Sequence, residues 1–263
     1  MITIDKVSLT AEAGVALLSI DRPAKHNAFL VETLFELTDA IDRAAADDDV
    51  NVLVLQGGGG RVFSAGIDLA SGLFEDADKL TAVMQESVLP LLESIERNEK
   101  PLIASVRGFA VGFAASIVLA CDLVVMAEDA ELQLVFSKLG IVPDGGACWQ
   151  LVNRLGYSRA LDLALGGQTL DAQDCLRLGI ANRVVPSDEL DDATMNWARS
   201  LAQGSSISHM LTKSLMRDAS RGASYTEVAD REAQAQAKCA ASEYCVRSYS
   251  SFLDKRRATP KPK

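Results

Sequence analysis

Apolar residues along the first half of the chain keep two rhythms. Short runs at 15–21, 50–55, 101–106 and 123–126 are apolar and rich in Val, Ile and Leu, which predicts strands. The first ends at the turn Arg22-Pro23. Between the runs, apolar positions recur at helical spacing. In 28–46 these are Phe29, Leu30, Leu34, Leu37, Ile41 and Ala45, and 80–95 and 111–120 read the same way. A strand–helix alternation of this kind predicts right-handed βαβ units, with helices covering a largely parallel sheet.

Beyond Val185 the strand signal stops. Residues 193–203, 207–219, 225–240 and 243–255 are all helical in pattern. Two regions follow, a core at 1–200 and a helical region at 201–263. The latter carries more apolar surface than a lone cap needs, which predicts coverage by a neighbouring subunit and hence a homo-oligomer. The opening MITIDKVSLT reads as one amphipathic strand with no apolar signal-peptide core, so no signal peptide is expected.

Composition narrows the function. At 263 residues and 48% hydrophobic content the chain can bury a large core. A net charge of −10 argues against a nucleic-acid surface, and the basic residues near the C-terminus read as a solvated end. The longest apolar run, 108–126, is interrupted by Asp122 and opens with glycines, so it predicts a buried helix and strand, not a membrane span. Five scattered cysteines and two histidines show no metal-ligand spacing, which predicts reduced thiols in a cytoplasmic protein and no metal.

Chemistry concentrates in two glycine-bearing segments, GGGGRVFSAGIDL at 57–69 and GFAVGFAASIVLACD at 108–122. The first follows a strand, and the second opens a helix after Gly112, where first-turn amides lack intrahelical partners. Two such amides converging on one point form an oxyanion hole for a carbonyl oxygen.

Four ordered segments, DRPAKHNAF (21–29), GRVFSAGIDL (60–69), RGFAVGF (107–113) and LGIVPDGGACWQL (139–151), resemble the enoyl-CoA hydratase/isomerase (crotonase) superfamily. The resemblance implies a crotonase-like α/β fold of repeated ββα units with a C-terminal helical oligomerisation region, assembled as a trimer or a dimer of trimers. It implies acyl-CoA thioester substrates and no cofactor beyond the CoA moiety. The backbone amides of Ile67 and Phe113 fall where the superfamily places its two oxyanion donors. Lys25, Ala28, Ala65, Ile67, Asp68, Leu69 and Phe113 fall along its CoA groove, and Lys255 on the terminal helix that approaches a CoA bound next door. Lys25 reads either as a partner for a CoA phosphate or as a solvated loop lysine. Asp68 reads as a loop-fixing or capping residue, Ser64 as structural and His26 as a surface residue.

Hydratases of the superfamily carry two glutamates, and the matching positions here are Ser116 and Phe136. Neither moves a proton as a carboxylate does. VFSKLGIVPDGG resembles the isomerase branch instead, including ring isomerases of phenylacetate breakdown, in which an aspartate of this motif is the acid/base group. That position is Asp144, which reads either as the catalytic carboxylate or as the N-cap of the helix at Ala147–Leu155. A Δ3,Δ2-enoyl-CoA isomerase is therefore expected. A hydratase, a ring-isomerising enzyme and a non-catalytic acyl-CoA-binding paralogue are the alternatives.

Overall fold

The computed structural model describes residues 2–4 and 6–258, with side chains for 6–254. Two strands stand where one was expected: β1 (Ile2–Ile4) and β2 (Val7–Glu12) pair antiparallel. β2 then pairs antiparallel with β3 (Val15–Ile20). Helix α1 (Val31–Ala46) starts later than its periodicity suggested. Phe29 is held away from helical geometry by a parallel bridge to Ile67, its amide donating to Gly66 O at 2.8 Å.

After β4 (Val52–Gly57), the helical stretch over 77–97 is one path with a widened turn. α2 (Ala77–Val83) passes through a π-helical turn, Met84–Val88, into α3 (Leu89–Arg97). Pro90 has no amide to give to the preceding turn, and Leu89 N–H reaches back five residues to Met84 O. β5 (Leu102–Val106) and β6 (Phe109–Val111) precede α4 (Phe113–Ala120), so the helix expected from 111 begins only after a further short strand.

β7 (Leu123–Ala127) and β8 (Glu131–Gln133) follow. Next come α5 (Ala147–Leu155), α6 (Tyr157–Gly166), β9 (Thr169–Asp171), α7 (Ala172–Arg177), β10 (Arg183–Val185) and α8 (Leu190–Ala202). The main sheet has the order β1-β2-β3-β4-β5-β7-β10 and is parallel from β3 onward; a small sheet has the order β6-β8-β9.

Residues 52–55 of β4 and all of β5 are buried, which is why these strands read as continuous apolar runs rather than alternating ones. α8 packs on β3, β4, β5 and β7, and α1 packs on β2, β3 and α3. α4 lacks an amphipathic stripe because residues 113–119 are all buried. FAASIVLA is apolar or small on every side, as a central helix must be.

The chain divides into two compact units, Met1–Ala202 and Gln203–Lys263. The second holds α9 (Ser206–Ser220), α10 (Tyr225–Ala240) and α11 (Glu243–Ala258). α9 packs with α10, joined by an ion pair between Asp218 and Arg231. A capping box starts α10: Ser224 Oγ accepts from Glu227 N–H at 3.3 Å, and the Glu227 carboxylate accepts from Ser224 N–H at 2.8 Å. Met216, Tyr225, Val246, Tyr249 and Phe252 of this unit are exposed. Among the described residues no helix is long and apolar enough to cross a membrane, and no cluster of His, Cys, Asp and Glu is arranged to hold a metal.

Candidate active site

The turn after β3 is held by side chains rather than by regular structure. His26 and Asn27 both adopt left-handed backbone (φ 50° and 55°). Asn27 is fully buried; its Nδ2 donates to Gly58 O at 2.9 Å and Val62 O at 3.0 Å, and its Oδ1 accepts from Arg22 N–H at 3.0 Å. Such complete satisfaction is what makes a buried amide tolerable. The Arg22 guanidinium donates to Ala28 O and pairs with Asp68 at 3.2 Å, both side chains largely shielded from water. Segments 21–29 and 60–69 are therefore tied together beside β4.

Within 64–68 four of the five amides are engaged. Ser64 N–H donates to Phe109 O at 3.1 Å, Ala65 N–H to His26 O at 2.9 Å and Asp68 N–H to Phe29 O at 2.9 Å. Gly66 N–H donates to Ser64 Oγ at 3.1 Å, while that hydroxyl donates to Asn27 O at 2.7 Å. Within 64–68 the Ile67 amide alone has no protein acceptor among the described residues. The amide of Phe113, first residue of α4, has none either.

Two glycines bring the flanking loops onto the first turn of α4. At Gly66 (φ 85°) a Cβ would lie 2.5 Å from Val111 O and 3.6 Å from Phe113 N, so only glycine lets this backbone approach the second free amide. At Gly145 (φ 58°) a Cβ would lie 2.8 Å from Ser116 Cβ and 3.0 Å from two carbons of the Phe113 ring. The residue before Gly145 is Asp144.

Asp144 does not cap α5. Gly146 holds the N-cap position with no side-chain bond, and the backbone of Asp144 supplies only a carbonyl, accepting from Ala147 N–H at 3.0 Å. Its Oδ1 is buried without a hydrogen-bond partner. Burial raises its pKa from 3.8 to about 6, outweighing the opposing bond from its own amide.

A carboxylate held this way lowers stability at neutral pH. Because the folded pKa lies above the unfolded one, the protonated form is favoured in the fold, and stability falls as pH rises from about 4 through 6. The shift corresponds to about 3 kcal/mol at most. Asp144→Asn is expected to be more stable than the parent at pH 7.5, by a margin that shrinks roughly by half at pH 5. Urea midpoints at the two pH values check this; a margin independent of pH would mean the carboxyl is not desolvated.

The remaining residues singled out in the sequence occupy varied positions. Ala28 is buried and offers its carbonyl to Arg22; Ala65 and Ile67 are partly buried. Asp68 binds Ala70 N–H at 3.2 Å as well as Arg22, so its charge is engaged inside the loop. Leu69 and Lys25 are exposed, as is His26. The side chain of Lys255 lies outside the described residues. Ser116 and Phe136 are both buried; Ser116 Oγ lies 3.4 Å from Gly112 O. The sequence reading missed the clamp of Arg22 and Asn27, which lie in the polar proline turn 21–27 between the apolar runs on either side.

The family profile for enoyl-CoA hydratase/isomerase matches residues 10–261. Two relatives from Escherichia coli K12, a 2,3-dehydroadipyl-CoA hydratase and a 1,2-epoxyphenylacetyl-CoA isomerase, are each 32% identical over 248 residues. The first match covers 94% of this chain and 95% of the relative, the second 93% and 94%. Among solved structures, an enoyl-CoA hydratase from Polaromonas sp. JS666 superposes with a TM-score of 0.88 at 27% identity, covering 98% of this chain and 99% of that one. One from Geobacillus kaustophilus HTA426 gives 0.90 at 27%, covering 97% and 96%. Both the profile, which spans nearly the whole chain, and these relatives place the protein in the enoyl-CoA hydratase/isomerase family, the crotonase superfamily, as an enzyme acting on acyl-CoA thioesters.

Proposed function

We propose that the enzyme shifts a double bond, converting a 3-enoyl-CoA into the conjugated 2-enoyl-CoA, with Asp144 as its acid/base group. The observation that carries this reading is a carboxylate whose Oδ1 is buried without a hydrogen-bond partner, next to the turn of α4 that bears a free amide. The Ile67 and Phe113 amides receive the thioester oxygen, stabilising the negative charge that develops when C2 loses a proton. Asp144 takes that proton and returns it at C4 of the planar dienolate, so the product is an isomer and nothing is oxidised or reduced. A pKa of about 6 leaves the carboxylate ionised at neutral pH yet basic enough to accept the proton.

Hydration needs a second group to activate water. Ser116 and Phe136, at the positions where hydratases of the superfamily carry glutamates, are both buried and neither is acidic. The named relatives do not choose between the chemistries, since a hydratase and an isomerase match equally well. The residues do. The exposed apolar side chains of the second unit support assembly as a homo-oligomer, and exposed Lys25 is suited to a CoA phosphate.

Incubation with 3-hexenoyl-CoA and, separately, crotonyl-CoA tests the assignment. Conjugation of the first is expected to exceed water addition to the second. Hydration at least as fast as isomerisation would establish the hydratase alternative, and inertness toward both would leave a ring-isomerising enzyme or a binding paralogue.

A further inference from the structure

Helix α5 packs along α4, and two of the contacts between them lie at opposite ends, only one of them adjoining the candidate catalytic carboxylate. Near its start, the Gly145 backbone rests on Phe113 and Ser116 at the first turn of α4. At its far end, Arg154 in the last turn of α5 reaches the opposite terminus of α4. One guanidinium nitrogen, Nη2, donates to Leu119 O at 3.0 Å and to Cys121 O at 2.8 Å. The carbonyls of Ile117 and Val118 are taken by Cys121 N–H at 3.2 Å each. Arg154 thus supplies what the end of an eight-residue helix lacks, a donor for its late carbonyls and a cation at the negative end of its dipole. Burial lowers the pKa of this guanidinium, opposed by neighbouring Cys121 and Asp122.

We propose that Arg154 is a positioning residue for the reaction, fixing α5 along α4 and so setting where Asp144 stands relative to the Phe113 amide. This rests on the reading of Asp144 as the acid/base group. The geometry supports the linkage directly. Asp144 O accepts from Ala147 N–H at 3.0 Å and Gln150 N–H donates to Gly146 O at 3.1 Å, so the Asp144 backbone is continuous with the first turn of α5. Phe113 N–H belongs to the first turn of α4. Gly145 packs its backbone on Phe113 and Ser116, and Ala147 and Leu151 of α5 are buried beside it, so the contact near Asp144 is made by packing. Arg154 adds directional bonds to this packing, on the α5 end remote from Asp144. A misplacement of about 1 Å at a reacting group lowers a rate by about 100-fold.

The test uses the full-length protein with 3-hexenoyl-CoA, comparing Arg154→Met, Arg154→Lys and Asp144→Asn. Arg154→Met keeps most of the aliphatic stem and loses every donor. Its kcat, per folded protein, is expected to fall about 10–100-fold with KM changed by less than about threefold. The acid limb of its pH profile is expected to move below pH 6, because a displaced carboxylate gains water. Arg154→Lys can still offer a charged donor, though not a planar fork, and is expected to recover part of the loss.

Wild-type kcat and an unmoved acid limb in the folded Met variant would overturn the proposal, as would a loss explained wholly by a smaller folded fraction. If the Met variant does not fold, the Lys variant decides on the same two readouts. Asp144→Asn separates the two readings. Retained turnover in that variant removes the acid/base assignment itself, whereas its loss together with unaffected Arg154 variants removes only the positioning role.

Discussion

Replacing Asp144 by Asn is expected to lower turnover of a 3-enoyl-CoA by about 100–10,000-fold, the loss that accompanies removal of a general base. The amide is nearly the same size, so thioester binding should persist. Folding should persist too, since the carboxylate makes no capping bond and its Oδ1 has no partner to lose. Only the ionised carboxylate can accept the C2 proton. Activity of the parent enzyme should therefore be nearly full above about pH 7 and fall to about half near pH 6, and the residual activity of the Asn variant should lack that limb. Stopped assays across pH 5–8, with binding and melting temperature measured on the same samples, check both halves. Near-parental turnover in a folded Asn variant would show that another group moves the proton.

The second large effect is expected at Gly66. Gly66→Ala would place a methyl 2.5 Å from Val111 O while forcing alanine into φ 85°, so the loop must withdraw from α4. Withdrawal separates the Ile67 amide from the Phe113 amide. Loss of one oxyanion donor lowers kcat by about 100–1,000-fold. Stability should fall by about 1–3 kcal/mol from backbone strain. The informative measurement is kcat per folded protein, with the folded fraction taken from the same preparation. Parental kcat in the folded fraction would mean that the two amides do not share the developing charge.

Much of this architecture is written in local pattern. The strands at β3, β4, β5 and β7 appeared as apolar runs because burial on both faces leaves no polar alternation. α5 was bounded correctly at Ala147–Leu155 because glycines flank an amphipathic stretch. The free amides were anticipated at Ile67 and Phe113 through motif resemblance, since a role played by backbone leaves no side-chain signature of its own. Where periodicity misled, a contact distant in sequence had won. Phe29 looked helical but pairs with Ile67, and Val111 looked helical but lies in the short strand before α4.

The sequence by itself determined the alternation of strands and helices, the change to an all-helical C-terminal region, and the lack of carboxylates at positions 116 and 136. Each is a property of residue identity and spacing along the chain. Whether Asp144 caps its helix or stands free could not be read that way, because AspGlyGly before a helix suits either role. Tertiary structure decided it. Gly146 takes the cap, Gly145 seats the loop on Phe113 and Ser116, Oδ1 of Asp144 is left without a partner, and burial raises the carboxyl pKa to about 6. The roles of Arg22 and Arg154 were not legible for the same reason. Their partners are carbonyls and a carboxylate 6 to 46 residues away, and desolvation and hydrogen bonding depend on what surrounds a group in space rather than on what precedes it in the chain.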